Sequence, residues 1–464
     1  MTAFDPASFR DPSGRLFQHA GAVYRTCSPD ALATFSRARD TGLLDALTSA
    51  GLLIPSTLVD SAASGLSPAD VGSQVIRQPE LPLVSYSYEW SFSMLRDAGL
   101  VTLRALEVCL EKGFVLKDAT SFNVLFEGTV PRLVDVHSIE VRREGSLWAG
   151  YAQFCRAFLF PLFLLSYKGL DPRPLLLAGL GEIPVSEVSR VLGWRDTFKR
   201  GVLVNVTMQQ QLERRFAGRP EDVSKASGRL KYPLQALRAQ VSKLKNVLGR
   251  LAPPSGDVWT TYVETHTYDD DGVRAKEALV GQALMDHRPS VVLDLGTNTG
   301  QYARLARATG ARVIAVDVSP TCVDAVYRQA AGDTGLSPVV ADLTKPTPAI
   351  GWRLIERKSL LSRLRGDFVL ALALVHHLRI TGGIPLAEIV DLLTSLAPAG
   401  VVEWVGRDDP MVKRLLALRP DVYDDYTEEN FGRLLSARAR VGRRMPVPTA
   451  PRVLYAFDAD SGGR

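Results

Sequence analysis

The run Val291-Val-Leu-Asp-Leu-Gly-Thr-Asn-Thr-Gly300 holds the residue types in this chain best suited to binding chemistry. An apolar stretch empties into a D-x-G-x-N-x-G loop made by Asp294, Gly296, Asn298 and Gly300, just before a helical pattern that begins at Gln301. Glycine permits positive φ in a tight turn, and its lack of a side chain lets a ligand approach the backbone and the first turn of the following helix. Asp317 follows twenty-three residues after Asp294, at the end of the next apolar run (VIAVDVS). That is the place of an acid that binds ribose hydroxyls in nucleotide-binding sheets. Asp342 ends a third run (VVADL), where it can pair with an adenine amino group. All three acids belong at the carboxyl edge of one sheet, where open α/β sheets bind ligands.

A second group could act on a substrate. His376 and His377 emerge from the apolar run LALALV at the same edge, so either could take a proton from a hydroxyl. Capping a strand or packing against a ligand accounts for a histidine there equally well. Glu403 lies inside the apolar run VVEWV, and a buried carboxylate is costly unless paired, so it is expected to orient a substrate or a histidine. Asp408, Asp409 and Lys413 follow it, with a solvated surface as the equal alternative.

These residues need a scaffold, and the pattern around them supplies one. From Val291 onward, apolar runs alternate with helical patterns: 291–295, 311–316, 337–341, 367–374 and 400–405 read as strands with helices from Gln301 and Pro320. Near-continuous apolar strands are those of a parallel sheet covered on both faces, so a doubly wound sheet is expected. The last two candidate strands, 440–446 and 452–458, are joined by a short Pro-containing link with no room for a helix, and should pair antiparallel. Upstream, 14–28 reads as a hairpin around His19-Ala20-Gly21, and 31–53 and 92–112 as amphipathic helices. Ala252-Pro-Pro-Ser-Gly-Asp257 is the best boundary, giving domains 1–250 and 251–464.

Residues 291–458 resemble the class I S-adenosylmethionine-dependent methyltransferases. The loop is D-x-G-x-N-x-G and lacks the G-x-G-x-x-G triplet of dinucleotide-binding domains, and the antiparallel ending points the same way. The fragments DLGTNTGQYARLA, LALALVHHL and VEWVGRDDPMVKRLL, with SYEWSFSML and LKDATSFNVLF upstream, are similar to the bacterial NoeA-like group of nodulation proteins. The resemblance implies a C-terminal Rossmann-like, mostly parallel sheet and S-adenosyl-L-methionine as cofactor. It implies cofactor contacts from Asp294, Gly296, Thr297, Asn298, Gly300, Tyr302, Asp317, Val318, Asp342, Leu343 and Ala373. It also implies a lid from the segment with Tyr262, His266, Tyr268 and Lys276, in which Tyr268 meets the cofactor. Methyl transfer to a small-molecule acceptor follows, with O-methylation of a carbohydrate or secondary metabolite favoured and His376, His377 and Glu403 as catalytic candidates.

Leu116–Asn123 and Leu133–Ser138 resemble the catalytic and metal loops of protein kinases and aminoglycoside phosphotransferases. That resemblance implies an α+β kinase-like N-terminal domain with Asp118 as base and Asn123 and Asp135 as magnesium ligands. The Gly-rich loop and the Val-Ala-Ile-Lys strand have no counterpart, and His137 stands where such proteins keep glycine. The domain is therefore expected to be degenerate, with an ATP-dependent phosphotransferase or nucleotide-binding pseudoenzyme as the alternative function. Turn hydrogen bonds from two Asp and an Asn are the ordinary reading.

Composition narrows the classes. Four scattered cysteines with no C-x-x-C pair signal neither a disulfide framework nor a zinc site, so no metal is expected in the methyltransferase half. With no secretory pattern at the start, a cytoplasmic location is expected. Ala157–Leu165 (AFLFPLFLL) is about half the ~20 residues of a bilayer span and reads as a buried helix. Between Arg195 and Arg250 thirteen Lys or Arg face four acids, but 234–248 puts its apolar residues on one helical face, and a solvated helix is the plainer reading. A nucleic-acid partner is disfavoured, and a homo-oligomer is compatible with the chain.

Overall fold

The structure is a computed structural model that describes residues 2–211, 232–253, 270–417, 420–448 and 450–458. The chain divides into two compact units. One comprises residues 1–126, 131–255 and 349–358, and the other 127–130, 256–348 and 359–464.

The first unit opens with a hairpin of β1 (Leu16–His19) and β2 (Ala22–Thr26), turned by Ala20 and Gly21 with φ of 47° and 72°. Positive φ at both central residues twists a two-residue turn to match its strands. β3 (Thr57–Asp60) and β4 (Gln74–Pro79) complete an antiparallel sheet of order β1-β2-β4-β3. The helical stretch expected over 31–53 is two helices, Pro29–Asp40 and Leu43–Ser49, because Gly42 takes φ 69° and ends the first. Helix Phe92–Glu111 is capped by Ser91 and buries Met94, Leu95, Ala98, Leu103 and Leu106. After it come β5 (Phe114–Leu116), β6 (Val124–Glu127), β7 (Val130–Leu133) and β8 (Ile139–Val141), with β5 on β8 and β6 on β7. The apolar stretch near 160 is a buried helical segment, and no helix among the described residues is long and apolar enough to cross a membrane.

The second unit is a seven-stranded sheet. β9 (Val291–Leu295), β10 (Arg312–Asp317), β11 (Leu336–Val340), β12 (Phe368–Ala371), β13 (Ala399–Val405), β14 (Arg440–Pro446) and β15 (Arg452–Asp458) lie in the order β11-β10-β9-β12-β13-β15-β14. β9 to β13 are parallel, and β15 runs antiparallel to both its neighbours. Every residue of β13 is buried, as a strand covered on both faces requires. Val292, Leu370 and Val401 from neighbouring strands pack with Val280 and Leu284 of helix Asp270–His287. From β9 the chain steps to β10 and β11 on one side, then returns to β12 on the other, so a crevice opens at the carboxyl ends of β9 and β12. The fourth strand is shorter than the expected 367–374, because Ala373 takes φ 50° and turns the chain out of the sheet. His376 and His377 therefore begin a helical turn.

Candidate active site

The loop after β9 is held by its own polar groups. Asp294 is buried, and Thr297 Oγ1 donates to its Oδ2 at 2.6 Å. Burial pushes the Asp294 carboxyl up to about 6, with the Asp317 charge adding to it and the Thr297 hydrogen bond opposing it. Gly296, Asn298 and Gly300 all take left-handed φ (77°, 51° and 80°), so three alternate positions of the loop turn its backbone. Gly300 is also sterically required, since a Cβ there would lie 2.9 Å from Val326 Cγ2.

The carboxyl end of β10 closes onto that loop. Asp317 accepts from Asn298 N through Oδ2 and from Ser319 N through Oδ1, both at 2.8 Å. Each oxygen of a carboxylate takes two hydrogen bonds, so Asp317 retains acceptor capacity. Burial raises its pKa, opposed by these backbone donors. Gly296 N and Thr297 N donate to Val316 O, and Cys322 Sγ reaches Asn298 Oδ1 at 3.5 Å. Val318 is half-exposed beside Asp317. After β11, Asp342 Oδ1 accepts from Thr344 N and Oγ1, with Leu343 half-buried next to it.

A buried charge cluster forms the other side. Glu403 is fully buried on β13; Lys276 Nζ lies 2.6 Å from its Oε2 and Arg452 Nη1 3.5 Å from its Oε1. Arg452 Nε reaches Asp409 Oδ2 at 2.7 Å, and Asp409 caps helix Pro410–Leu416 by accepting from Met411 N. Lys276 also stands 5.0 Å above the ring of Tyr302. The imidazoles of His376 and His377 are 4.2 Å apart. His376 is buried, and its Nδ1 has no hydrogen-bond partner. Burial, then His377, Arg452 and Lys276, holds the His376 pKa well below 6.5, and burial with Arg452 lowers that of His377. Both are neutral near pH 7.

Across 456 residues the chain is 34% identical to the nodulation protein NoeA of Rhizobium meliloti (strain 1021), a match covering 97% of this chain and 95% of that protein. The chain belongs to the NoeA family. No family model matches it. Among solved structures it is similar to the N-methyltransferase NodS of Bradyrhizobium japonicum WM9 in complex with S-adenosylhomocysteine, at 13% identity over 44% of this chain and 100% of that one, TM-score 0.32. Magnesium protoporphyrin IX methyltransferase of Synechocystis PCC 6803 gives 18% identity over 45% and 90%, TM-score 0.30. The bifunctional kinase-methyltransferase WbdD gives 16% over 43% and 41%, TM-score 0.30.

In this NoeA-family chain, the expected cofactor residues of β9, β10 and β11 meet at one edge of the sheet. Tyr262, His266 and Tyr268 lie outside the described residues. Asp408 is exposed with Lys413 at 3.4 Å. Arg452 escaped the sequence reading, although an arginine opening the apolar run VLYAF was a visible oddity. In the first unit, Asp118 has its pKa raised by burial, with the Asp135 and Asp11 charges adding to it. Asp135 Oδ1 pairs with Arg25 Nη1 at 3.0 Å, and the buried Asn123 Nδ2 has no hydrogen-bond partner. Of the basic stretch, helix Leu234–Gly249 buries Leu237, Val241, Leu244 and Leu248, and Lys245 pairs with Glu107 at 2.6 Å.

Proposed function

We propose that this NoeA-family chain transfers a methyl group from S-adenosylmethionine to a hydroxyl of a small-molecule acceptor. It is a methyltransferase, and S-adenosylmethionine is its cofactor. The observation that carries the reading is the lock between the two strand ends. Asp317 is fixed through Asn298 N and Ser319 N with acceptor capacity left for a ribose, beside a loop turned by Gly296, Asn298 and Gly300. Those residues suit S-adenosylmethionine, with Thr297, Tyr302, Val318, Leu343 and Ala373 around it and Asp342 at the adenine. When bound, the cofactor supplies a methyl group on a sulfonium that is already a strong electrophile.

The chain's own work is then to bind, orient and take up a proton. His377 is half-buried, and the ring of the buried His376 lies 4.2 Å from its own. Neutral imidazoles can accept the hydroxyl proton. A weak base suffices, because the oxygen loses its hold on the proton as it is alkylated. Glu403 is a positioning residue: it pins Arg452, whose charge adds to burial in lowering the pKa of both histidines, and Lys276, whose charge adds to that of Arg452 at His376.

Calorimetric titration with S-adenosylhomocysteine tests this directly. The wild type should bind it in the micromolar range and Asp317→Ala should not; a wild type that fails to bind overturns the reading.

Residues 1–250 are read as a degenerate kinase-like domain, with 251–464 as the methyltransferase domain. The nearness of Asp118 to Asp135 supports the former, and a sequence without the Gly-rich loop or the Val-Ala-Ile-Lys strand supports its degeneracy. No ATP turnover is expected, and phosphate transfer from magnesium-ATP that depends on Asp118 would reverse that. A cytoplasmic enzyme without a nucleic-acid partner completes the reading, none of its four cysteines being joined in a disulfide.

A further inference from the structure

We propose that Asp11, Asp135 and His137 bind a divalent transition-metal ion through two carboxylate oxygens and one imidazole nitrogen. Their ligand atoms all lie within 4.8 Å of one another, close to what a common ion at about 2.0–2.2 Å from each would require. Small side-chain rotations close the difference.

The histidine is the independent sign. His137 is 5% exposed, and its Nδ1 has no hydrogen-bond partner. Asp11 Oδ2 is 3.6 Å from that nitrogen, and Cys27 Sγ is 3.7 Å from Nε2 on the other side of the ring. A buried imidazole nitrogen is normally satisfied, and this one faces a carboxylate just beyond hydrogen-bond reach. The surroundings are built to keep it there. Gly14 packs on the ring, where a Cβ would come within 2.8 Å of His137 Cε1 and 1.8 Å of Thr26 O. Asp11 Oδ1 accepts from Ser13 N at 2.8 Å, which leaves Oδ2 facing the cluster. Asp135 caps its own turn by accepting from His137 N.

Charge is left over. A single guanidinium nitrogen, Arg25 Nη1, serves both carboxylates, at 3.2 Å from Asp11 and 3.0 Å from Asp135, while Arg25 Nε has no partner. One cation against two carboxylates leaves negative charge beside an imidazole nitrogen. The carboxylate side chains are 25% and 17% exposed, so an ion can enter from solvent on that side. An imidazole with two carboxylates suits manganese, iron, cobalt or zinc better than magnesium or calcium. The set shares Asp135 with the magnesium pair implied by the kinase resemblance, but replaces Asn123 by Asp11 and His137.

The test uses the full-length chain, stripped with chelator and free of any tag, titrated calorimetrically with Zn²⁺, Co²⁺ and Mg²⁺. One equivalent of Zn²⁺ or Co²⁺ should bind, with Mg²⁺ weaker. His137→Gln and Asp11→Asn should each weaken binding by at least about tenfold. Arg25→Gln should tighten it by removing the competing cation, and Asn123→Ala should leave it unchanged. If His137→Gln binds as the wild type does, or if Asn123→Ala abolishes binding, the proposal fails. Should the ligand variants not fold, Co²⁺ added to the wild type decides: a paramagnetically shifted imidazole resonance is expected, and its absence overturns the assignment.

Discussion

Glu403 carries a cation on each carboxylate oxygen inside a strand with no exposed residue, so its worth lies in what its loss would leave behind. Removing one partner of a buried pair typically costs about 3–5 kcal/mol, because the remaining charges stay buried without compensation. Glu403→Gln should therefore lower the unfolding free energy by about that much, read from urea transitions. A loss below about 1 kcal/mol, the scale of a surface pair, would show that the cluster relaxes into water. His376 gives a pH prediction. The unfolded chain takes up a proton at this imidazole below about 6.5, and the folded chain does so only at lower pH. Between those values the unfolded state binds more protons, so stability falls as the pH is lowered. Asp294, raised from 3.8 to about 6, acts oppositely between those two values. Comparison with His376→Asn isolates the imidazole: from about pH 7.5 to about pH 6 the urea midpoint should fall less in the variant than in the wild type. Equal falls would exclude a buried neutral His376. At this scale the sequence exposed Asp294, Asp317 and the histidines, because each closes a local strand-to-loop pattern. The partners of Glu403 were hidden, since Lys276 and Arg452 lie 127 and 49 residues away and meet it only through the sheet.

Elements carry the loop, and Gly300 is where they meet. Its left-handed φ ends the turn after β9, and the space a Cβ would need is taken by Val326 of helix Pro320–Gln329. Gly300→Ala must either strain the backbone or push that helix away, and overpacking of this kind costs about 1–3 kcal/mol. The helix follows β10 directly, so its displacement also disturbs Asp317 and Ser319. The variant should fold with a lowered thermal midpoint and bind S-adenosylhomocysteine more weakly, as calorimetry would show. Unchanged affinity would mean that the loop tolerates the shift. Strand existence and order of appearance were legible from the apolar runs of β9 to β13. The ends were not: Ala373 and Gly42 break their elements through left-handed backbone, which hydrophobic periodicity does not register. The sheet order, too, depends on packing that no local run specifies.

The whole molecule holds two units with separate cores, and the two proposed ligands belong to different units. A ligand that binds only the folded state stabilises it by RT ln(1 + [L]/Kd), about 2.7 kcal/mol at a hundred times Kd. Chains with several domains commonly unfold in more than one step. Calorimetric melts of the full chain should thus show S-adenosylhomocysteine raising one transition and Zn²⁺ raising another. Asp317→Ala should abolish the first shift and keep the second, whereas His137→Gln should do the reverse. That crossed pattern requires each ligand to act through its own unit, since a variant that merely loosened the molecule would diminish both shifts together. If either ligand moves both transitions equally, the units unfold as one, and the variants then separate the sites by which shift each removes. If Asp317→Ala keeps the S-adenosylhomocysteine shift, the cofactor does not sit at the ends of β9 and β10.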